Sequence, residues 1–424
     1  MSSGRALGAA EGGQTLTLEQ ALGSVERVNV SVLVSRETAA QALEAYNQQR
    51  ASALPVVNAS VQQRRQQQVS IGTVVTSSGR PSSRFDALLT SNWTLLDADI
   101  IGAIKGAKLG SQVAQANYQA VVQTVLADVA QSYFAHLRNQ RRLVVLDANI
   151  ARSRALLDLA RRQLEAGVAT QIDVTRADSV LASAEQARLQ QLTTLVASEL
   201  LLKRLLDLPV IDALQVEDFP VRRVEPGLFV FADRKTAFEQ RADYLAAQKS
   251  LEQAQMAVRT VKYQRLPALL VTGNYGEASP RYDDSDKQEQ WSVTFNVSMP
   301  IFDLRLGSDK RVALSRQRAQ EARVHALEMQ ITSELKLALQ DSGSRNAQVT
   351  VAEKALALAR EELRLAQQRY AQGVADNREL IEAQNRIAVA EDNQVEAVHQ
   401  YNLSRVELSR VRGDVRGLLA EKGP

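Results

Sequence analysis

Three histidines, His136, His325 and His399, are the side chains of this 424-residue chain best suited to proton transfer or metal ligation. Each stands alone in a helical stretch, with no partner at ligand spacing. The chain has no cysteine, which removes disulfides, thiolate metal sites, cysteine nucleophiles and lipid attachment through cysteine. It has no phosphate loop and no nucleophile elbow, and its glycines fall at turns and helix ends. The pairs Arg141-Arg142, Arg161-Arg162 and Arg222-Arg223 read as solvated helix or linker charge. With 51 basic against 48 acidic residues the formal charge is +3, and the bases are interleaved with acids, so no nucleic-acid footprint is expected. The residues point to a protein that is not an enzyme and has no catalytic residue, metal or cofactor.

The information lies instead in the elements. Hydrophobic residues make up 45% of the chain, yet aromatics are only 4% and prolines number 9, a long-helix composition. The chain also repeats itself. LARRQLEAGVATQIDVTRADSVLASAEQ (159–186) lies on LAQQRYAQGVADNRELIEAQNRIAVAED (365–392), with Gly167 on Gly373 and Val168 on Val374. Upstream, FDALLTSNWTLLD (85–97) lies on WSVTFNVSMPIFD (291–303), and LPVVNASV (54–61) on LPALLVTG (266–273). Matches in one order mark a duplication. The expected first repeat is 1–208, with strands at about 54–64 and 85–96 and a long helical hairpin turning at 167–170. A linker follows at 209–235. The second repeat, 236–412, has strands at about 267–276 and 290–301 and a hairpin turning at 373–377, and 413–424 is a tail.

The alternating segments carry the sharpest signal. Trp291, Val293, Phe295, Val297, Met299 and Ile301 alternate with Ser292, Thr294, Asn296, Ser298 and Pro300, which gives a strand with one apolar and one polar face. Residues 85–95, 57–64 and 269–275 repeat the pattern less cleanly. Each run is about the 9–11 residues that cross a bilayer as a tilted strand. The acidic segment 277–289 between the last two reads as an outward loop. By contrast, Asp99 to Glu165 is an unbroken helical stretch. Leu380, Ala383, Ile387, Ala390, Gln394, Ala397, Tyr401, Ser404 and Leu408 share one seam, as do Val174, Ala177, Leu181 and Ala184, so helices should pack closely side by side. Four strands cannot close a barrel, and lipid does not tolerate an open sheet edge. Membrane strands would therefore require several copies to pool them, and pattern alone does not choose two or three.

On these residues the chain resembles the TolC-like outer membrane efflux proteins over nearly its whole length. The resemblance rests on TLTLEQAL (15–22), the junction SVTFNVSMPIFD (292–303), the tips QLEAGVATQIDV (163–174) and RYAQGVADNREL (369–380), and the twofold repeat. It implies a mainly helical fold with a small β part, in which long antiparallel hairpins form a trimeric α-barrel. That α-barrel would join a twelve-stranded transmembrane β-barrel with four strands from each chain. It implies a passive exit duct of a tripartite efflux or type I secretion system in the outer membrane of a Gram-negative bacterium, extending into the periplasm. The implied partners are two further copies, a periplasmic adaptor, an inner-membrane pump and outer-membrane lipid, which would meet the odd-numbered side chains from Trp291 to Ile301.

At residue level the resemblance carries over to the tips. Glu379 and Glu382 stand where family members ring the periplasmic constriction with acids. Six carboxylates at one narrowing would favour cations and raise some of their pKa values. Tyr370 and Asp173 match a tyrosine–aspartate bond that closes this end. The arginine expected two residues after the second tip glycine is replaced by Ala375, with Arg378 as substitute. Gly167, Val168, Gly373 and Val374 would meet the adaptor. The N-terminal MSSGRALGAAEGGQ lacks the apolar core of a signal peptide, so any export signal is expected upstream of the given start. The competing reading is a soluble coiled-coil hairpin scaffold with small β tips.

Overall fold

The computed structural model of the protein describes residues 15–67, 81–211, 213–219, 222–223, 231–372 and 377–421. In chain order these form β1 (Thr15–Leu16), α1 (Leu18–Val28), α2 (Val30–Ala51), β2 (Val56–Gln66), β3 (Ser82–Leu96), α3 (Ala98–Glu165) and α4 (Gln171–Leu205). There follow β4 (Gln215–Val216), α5 (Phe231–Gln240), α6 (Ala242–Tyr263), β5 (Ala268–Ser279), β6 (Gln288–Ser298), α7 (Arg305–Ala371), α8 (Asn377–Arg412) and a 3-10 turn at Arg416–Glu421. The chain divides into two units, one of Met1–Glu37, Asn117–Leu245 and Leu327–Pro424, the other of Thr38–Ala116 and Ala246–Ala326.

The first unit is helical. Its start shows why TLTLEQAL takes the form it does. Thr15 and Leu16 pair in parallel with Gln215 and Val216. Thr17 then closes a capping box, its Oγ1 accepting from Gln20 N at 3.1 Å while its own N–H donates to Gln20 Oε1 at 3.2 Å. The helix so started buries Leu18, Ala21, Leu22 and Val25. Farther along, the seam read from α8 is buried at Leu380, Ala383, Ile387 and Ala390. There it meets Leu156, Leu157 and Ala160 of α3, Ala177 of α4, and Leu356, Ala359, Leu363 and Ala366 of α7. Alanine at every second or third position of this cluster keeps the four helices close, and no bulky aromatic layer is needed.

The second unit holds a four-stranded antiparallel sheet in the order β2-β3-β5-β6. The two central strands come one from each repeat, and a bulge lies between Thr94 and Leu96. β6 stops at Ser298 although the apolar alternation runs on to Ile301, because Pro300 has no N–H to give to a ladder. At the other end the sheet is longer than expected. Glu277 and Ala278 pair with Glu289 and Gln288, so the acidic connection shrinks from 277–289 to 280–287.

Beside the sheet, α3 lies against α6 through glycine. A Cβ on Gly102 would stand 2.3 Å from both Oγ1 and Cγ2 of Thr260, and Gln253 Nε2 donates to Gly106 O at 3.0 Å. Thr260 Cβ itself would lie 2.8 Å away, so turning its side chain does not relieve the clash. Gly102→Val should therefore destabilise the fold by about 1–3 kcal/mol, read as a lowered thermal midpoint, and Thr260→Ala in the same chain should recover part of it. An unchanged midpoint for Gly102→Val would refute the close approach.

Candidate functional site

Cross-strand register decides which side chains share a face of the sheet, since directly opposed residues point the same way. One row runs Ala59, Leu89, Tyr275, Trp291, and the next Val57, Ser91, Gly273, Val293. A third joins Trp93, Val271 and Phe295. The apolar sets of all four strands thus fall on one face. Outside the loop end, where Ser279 is buried, the face lies open: Val61 is 73% exposed, Phe295 68% and Trp291 71%. Val293, Val297, Met299 and Ile301 are exposed as well, the last two beyond the end of β6. On the opposite face stand Asn58, Ser60, Gln62, Thr90, Asn92, Thr272, Asn274, Ser292, Thr294 and Asn296, with Val56, Leu88 and Leu270 as apolar exceptions. Among the described residues the outer strands β2 and β6 each have one neighbour, leaving two ladders of backbone groups unpaired.

The first hairpin tip is built by local rules. Gly167 has φ +75, and the amides of Gly167 and Val168 donate to Leu164 O and Gln163 O at 3.0 and 2.9 Å, closing the end of α3. Thr170 then starts α4, with its N–H and Oγ1 both donating to Asp173 Oδ2, at 3.0 and 2.7 Å. Those bonds, from the Thr170 hydroxyl above all, hold the Asp173 carboxyl below its usual range. Val168 is 79% exposed at the turn. Gly373, Val374 and Ala375 of the second tip lie outside the described residues.

The expected closing network is rearranged. Asp173 serves as a helix cap, and the Tyr370 hydroxyl donates to Gln163 Oε1 rather than to Asp173. Burial, and then the nearby Asp173 charge, push the Tyr370 hydroxyl pKa up. The tips are linked as well by Asn377 Nδ2, which donates to Asp173 O at 3.2 Å. Arg378 is exposed. Two arginines meet acids here: Arg369, 3.0 Å from Glu379 Oε1, and Arg176, 3.8 Å from Asp173 Oδ1. Glu382 is exposed on the next turn of α8. Thr170-x-x-Asp173 was readable as a cap signature, whereas Gln163, Arg369 and Asn377 reach partners only through the turn of a hairpin or the neighbouring one.

The histidines are structural or surface residues. His136 is buried, with Nδ1 3.0 Å from Ser198 Oγ and Nε2 3.2 Å from Gln140 Nε2, and desolvation lowers its pKa. His399 is buried near Arg138 and Glu396, and burial lowers its pKa too. His325 is exposed. Among the described residues no cluster of three or more His, Asp or Glu could hold a metal. No described helix is long and apolar enough to cross a membrane.

Comparison with known proteins matches this arrangement. The family model for outer membrane efflux proteins covers residues 23–207 and 234–414. Outer membrane protein OprJ of Pseudomonas aeruginosa is 27% identical over 403 residues, 89% of this chain and 81% of that protein. The pyoverdine export outer membrane protein OpmQ of the same species is 25% identical over 408 residues, 92% of this chain and 82% of OpmQ. Among solved structures, the outer-membrane channel OprN superposes with a TM-score of 0.83 at 22% identity, covering 93% of this chain and 89% of OprN. VceC of Vibrio cholerae also gives 0.83, at 17% identity, covering 94% of this chain and 96% of VceC.

Proposed function

Because the chain belongs to the outer membrane efflux protein family, we propose that three copies pool their sheets into one closed barrel of twelve strands and their hairpins into a periplasmic α-barrel. The assembly is the outer-membrane exit duct of a tripartite efflux or type I secretion system. One observation carries this reading: a sheet with an uncovered apolar face, an uncovered polar face and two unpaired edges. In water the apolar face would be an aggregation surface, and in lipid the open edges would be intolerable. Closure with other copies removes both costs at once. Trp291, Val293, Phe295, Val297, Met299 and Ile301 then meet hydrocarbon, while the Asn, Ser and Thr face lines water. A soluble hairpin scaffold would gain nothing from such a face.

The duct is passive, and energy enters from an inner-membrane pump through a periplasmic adaptor. Gly167 and Val168 offer the adaptor a tight turn with an exposed valine, and Gly373 and Val374 are their equivalents in the second repeat. Glu379 and Glu382 supply acid at the constriction. Arg369 tempers Glu379, which leaves more of the task to Glu382. Tyr370, Asp173 and Arg378 belong to the same closing region, with Gln163 added to it.

The test is fractionation. Given a working secretion leader, the chain is expected in the outer-membrane fraction and to come free only with detergent. Recovery from the soluble periplasm without detergent would overturn the proposal.

A further inference from the structure

The polar face of the sheet is nearly without charge. From β2 to β6 it presents amides, hydroxyls and a few small or apolar side chains, and among the described residues its only ionised groups are Arg64, Arg84 and Asp86. Arg64 and Arg84 are directly opposed across β2 and β3. Like charges at this spacing cost a sheet stability. Asp86 relieves one of them, with Oδ1 2.8 Å from Arg84 Nε. Arg84 Nη2 also donates to Gln290 Oε1 at 3.1 Å, across the sheet on β6. Gln290 and Asp86 thus fix the Arg84 guanidinium on the face, while Arg64 is exposed beside it.

The nearby acidic loop is anchored on the other side of the sheet. Its anchors lie at residues of the apolar face. Pro280 O accepts from Gln63 Nε2 at 3.4 Å, and Lys287 lies 3.8 Å from Glu277. Gln63 is in register with Phe85, and Glu277 with Ala87.

We propose that Arg64 and Arg84 form an anion-selecting ring on the duct wall at the loop end of the strands, with anionic solutes as the class it favours. This rests on the reading of the polar face as the duct lining. Two arginines against one aspartate in each chain leave a net positive ring when three copies close. The neutral wall beyond it offers no competing field. Rings of Arg or Lys select anions in pores by the same physics, and the sign is opposite to that of the tip carboxylates.

Single-channel recording of the full chain in planar bilayers decides it. The readouts are chloride-to-potassium permeability in a KCl gradient and block by tripolyphosphate added on the loop side. Arg64→Gln with Arg84→Gln should lower the permeability ratio by about twofold or more, and weaken block about fivefold. Arg64→Lys with Arg84→Lys should keep both, and Asp86→Asn should move both the other way. If the double glutamine variant fails to assemble, Arg64→Gln alone should still show the smaller loss. Conducting variants with the wild-type ratio and block would overturn the ring and leave the duct standing. A wild-type chain that forms no pore would instead overturn the duct.

Discussion

Phe295→Arg is expected to abolish the outer-membrane oligomer, whereas Thr294→Arg, one residue away, is expected to leave it assembled. The two positions neighbour each other on β6 and point to opposite faces. Phe295 sits in the row with Trp93 and Val271, within the apolar band and away from its charged rim at Glu277 and Glu289. A charge near the middle of a barrel's lipid face costs about 2–4 kcal/mol, and every copy in the ring bears that cost at once. An arginine at 294 enters the polar face, among Thr272 and Asn274. Oligomer survival in unheated gels of the outer-membrane fraction reads the difference. Equal assembly of both variants would show that the two faces do not meet different solvents.

The second large effect is at the tips, where two single substitutions should act in opposite directions. Glu382→Ala is expected to lower cation preference in bilayer recordings, and to weaken block by multivalent cations, by roughly two- to threefold. Arg369→Ala is expected to raise both, because it removes the positive charge now 3.0 Å from the Glu379 carboxylate. The pair is part-exposed, at 54% and 38%, so its loss should cost little stability, about 0–1 kcal/mol, and the change reads as charge rather than collapse. Glu379→Ala combined with Glu382→Ala should give the largest loss of cation preference. If Arg369→Ala and Glu382→Ala shift selectivity the same way, these residues do not set the field at the narrowing.

Much of this architecture was legible before any coordinates, for a physical reason. A strand with solvent of one kind on each side must alternate without relief, and Trp291 to Val297 do so. A hairpin tip needs a residue that accepts positive φ, and Gly167 stands there at +75. The seam of α8 is buried from Leu380 to Ala390 as its 3–4 spacing requires, whereas Gln394 and Ala397 are only half-buried and Val395 and His399 take the buried places there. The unread parts share one property, which is dependence on contacts distant in sequence. Arg369 meets Glu379 only once a second helix returns past the first. Tyr370 finds Gln163 of the other hairpin, leaving Asp173 to its own local cap. Arg64 and Arg84 become neighbours only through the register of β2 on β3. The segment 277–289 looked like a loop because Glu277 and Glu289 are poor strand formers, yet the ladder of β5 and β6 carries them as an opposed pair.

The central claim is that β2 of one copy pairs with β6 of another. The absence of native cysteine makes it directly measurable. Ser60→Cys on β2 would be combined in turn with Ser292→Cys, Thr294→Cys and Asn296→Cys on β6, and the cells oxidised before extraction. Bridging demands Cα atoms about 4.4–6.8 Å apart, so only the pair in register should cross-link. That pair is expected to convert the chain into a covalent ladder ending at three copies, resolved by denaturing gels without reductant. Monomer at every combination, from protein that is in the outer membrane and conducting, would contradict the closed barrel.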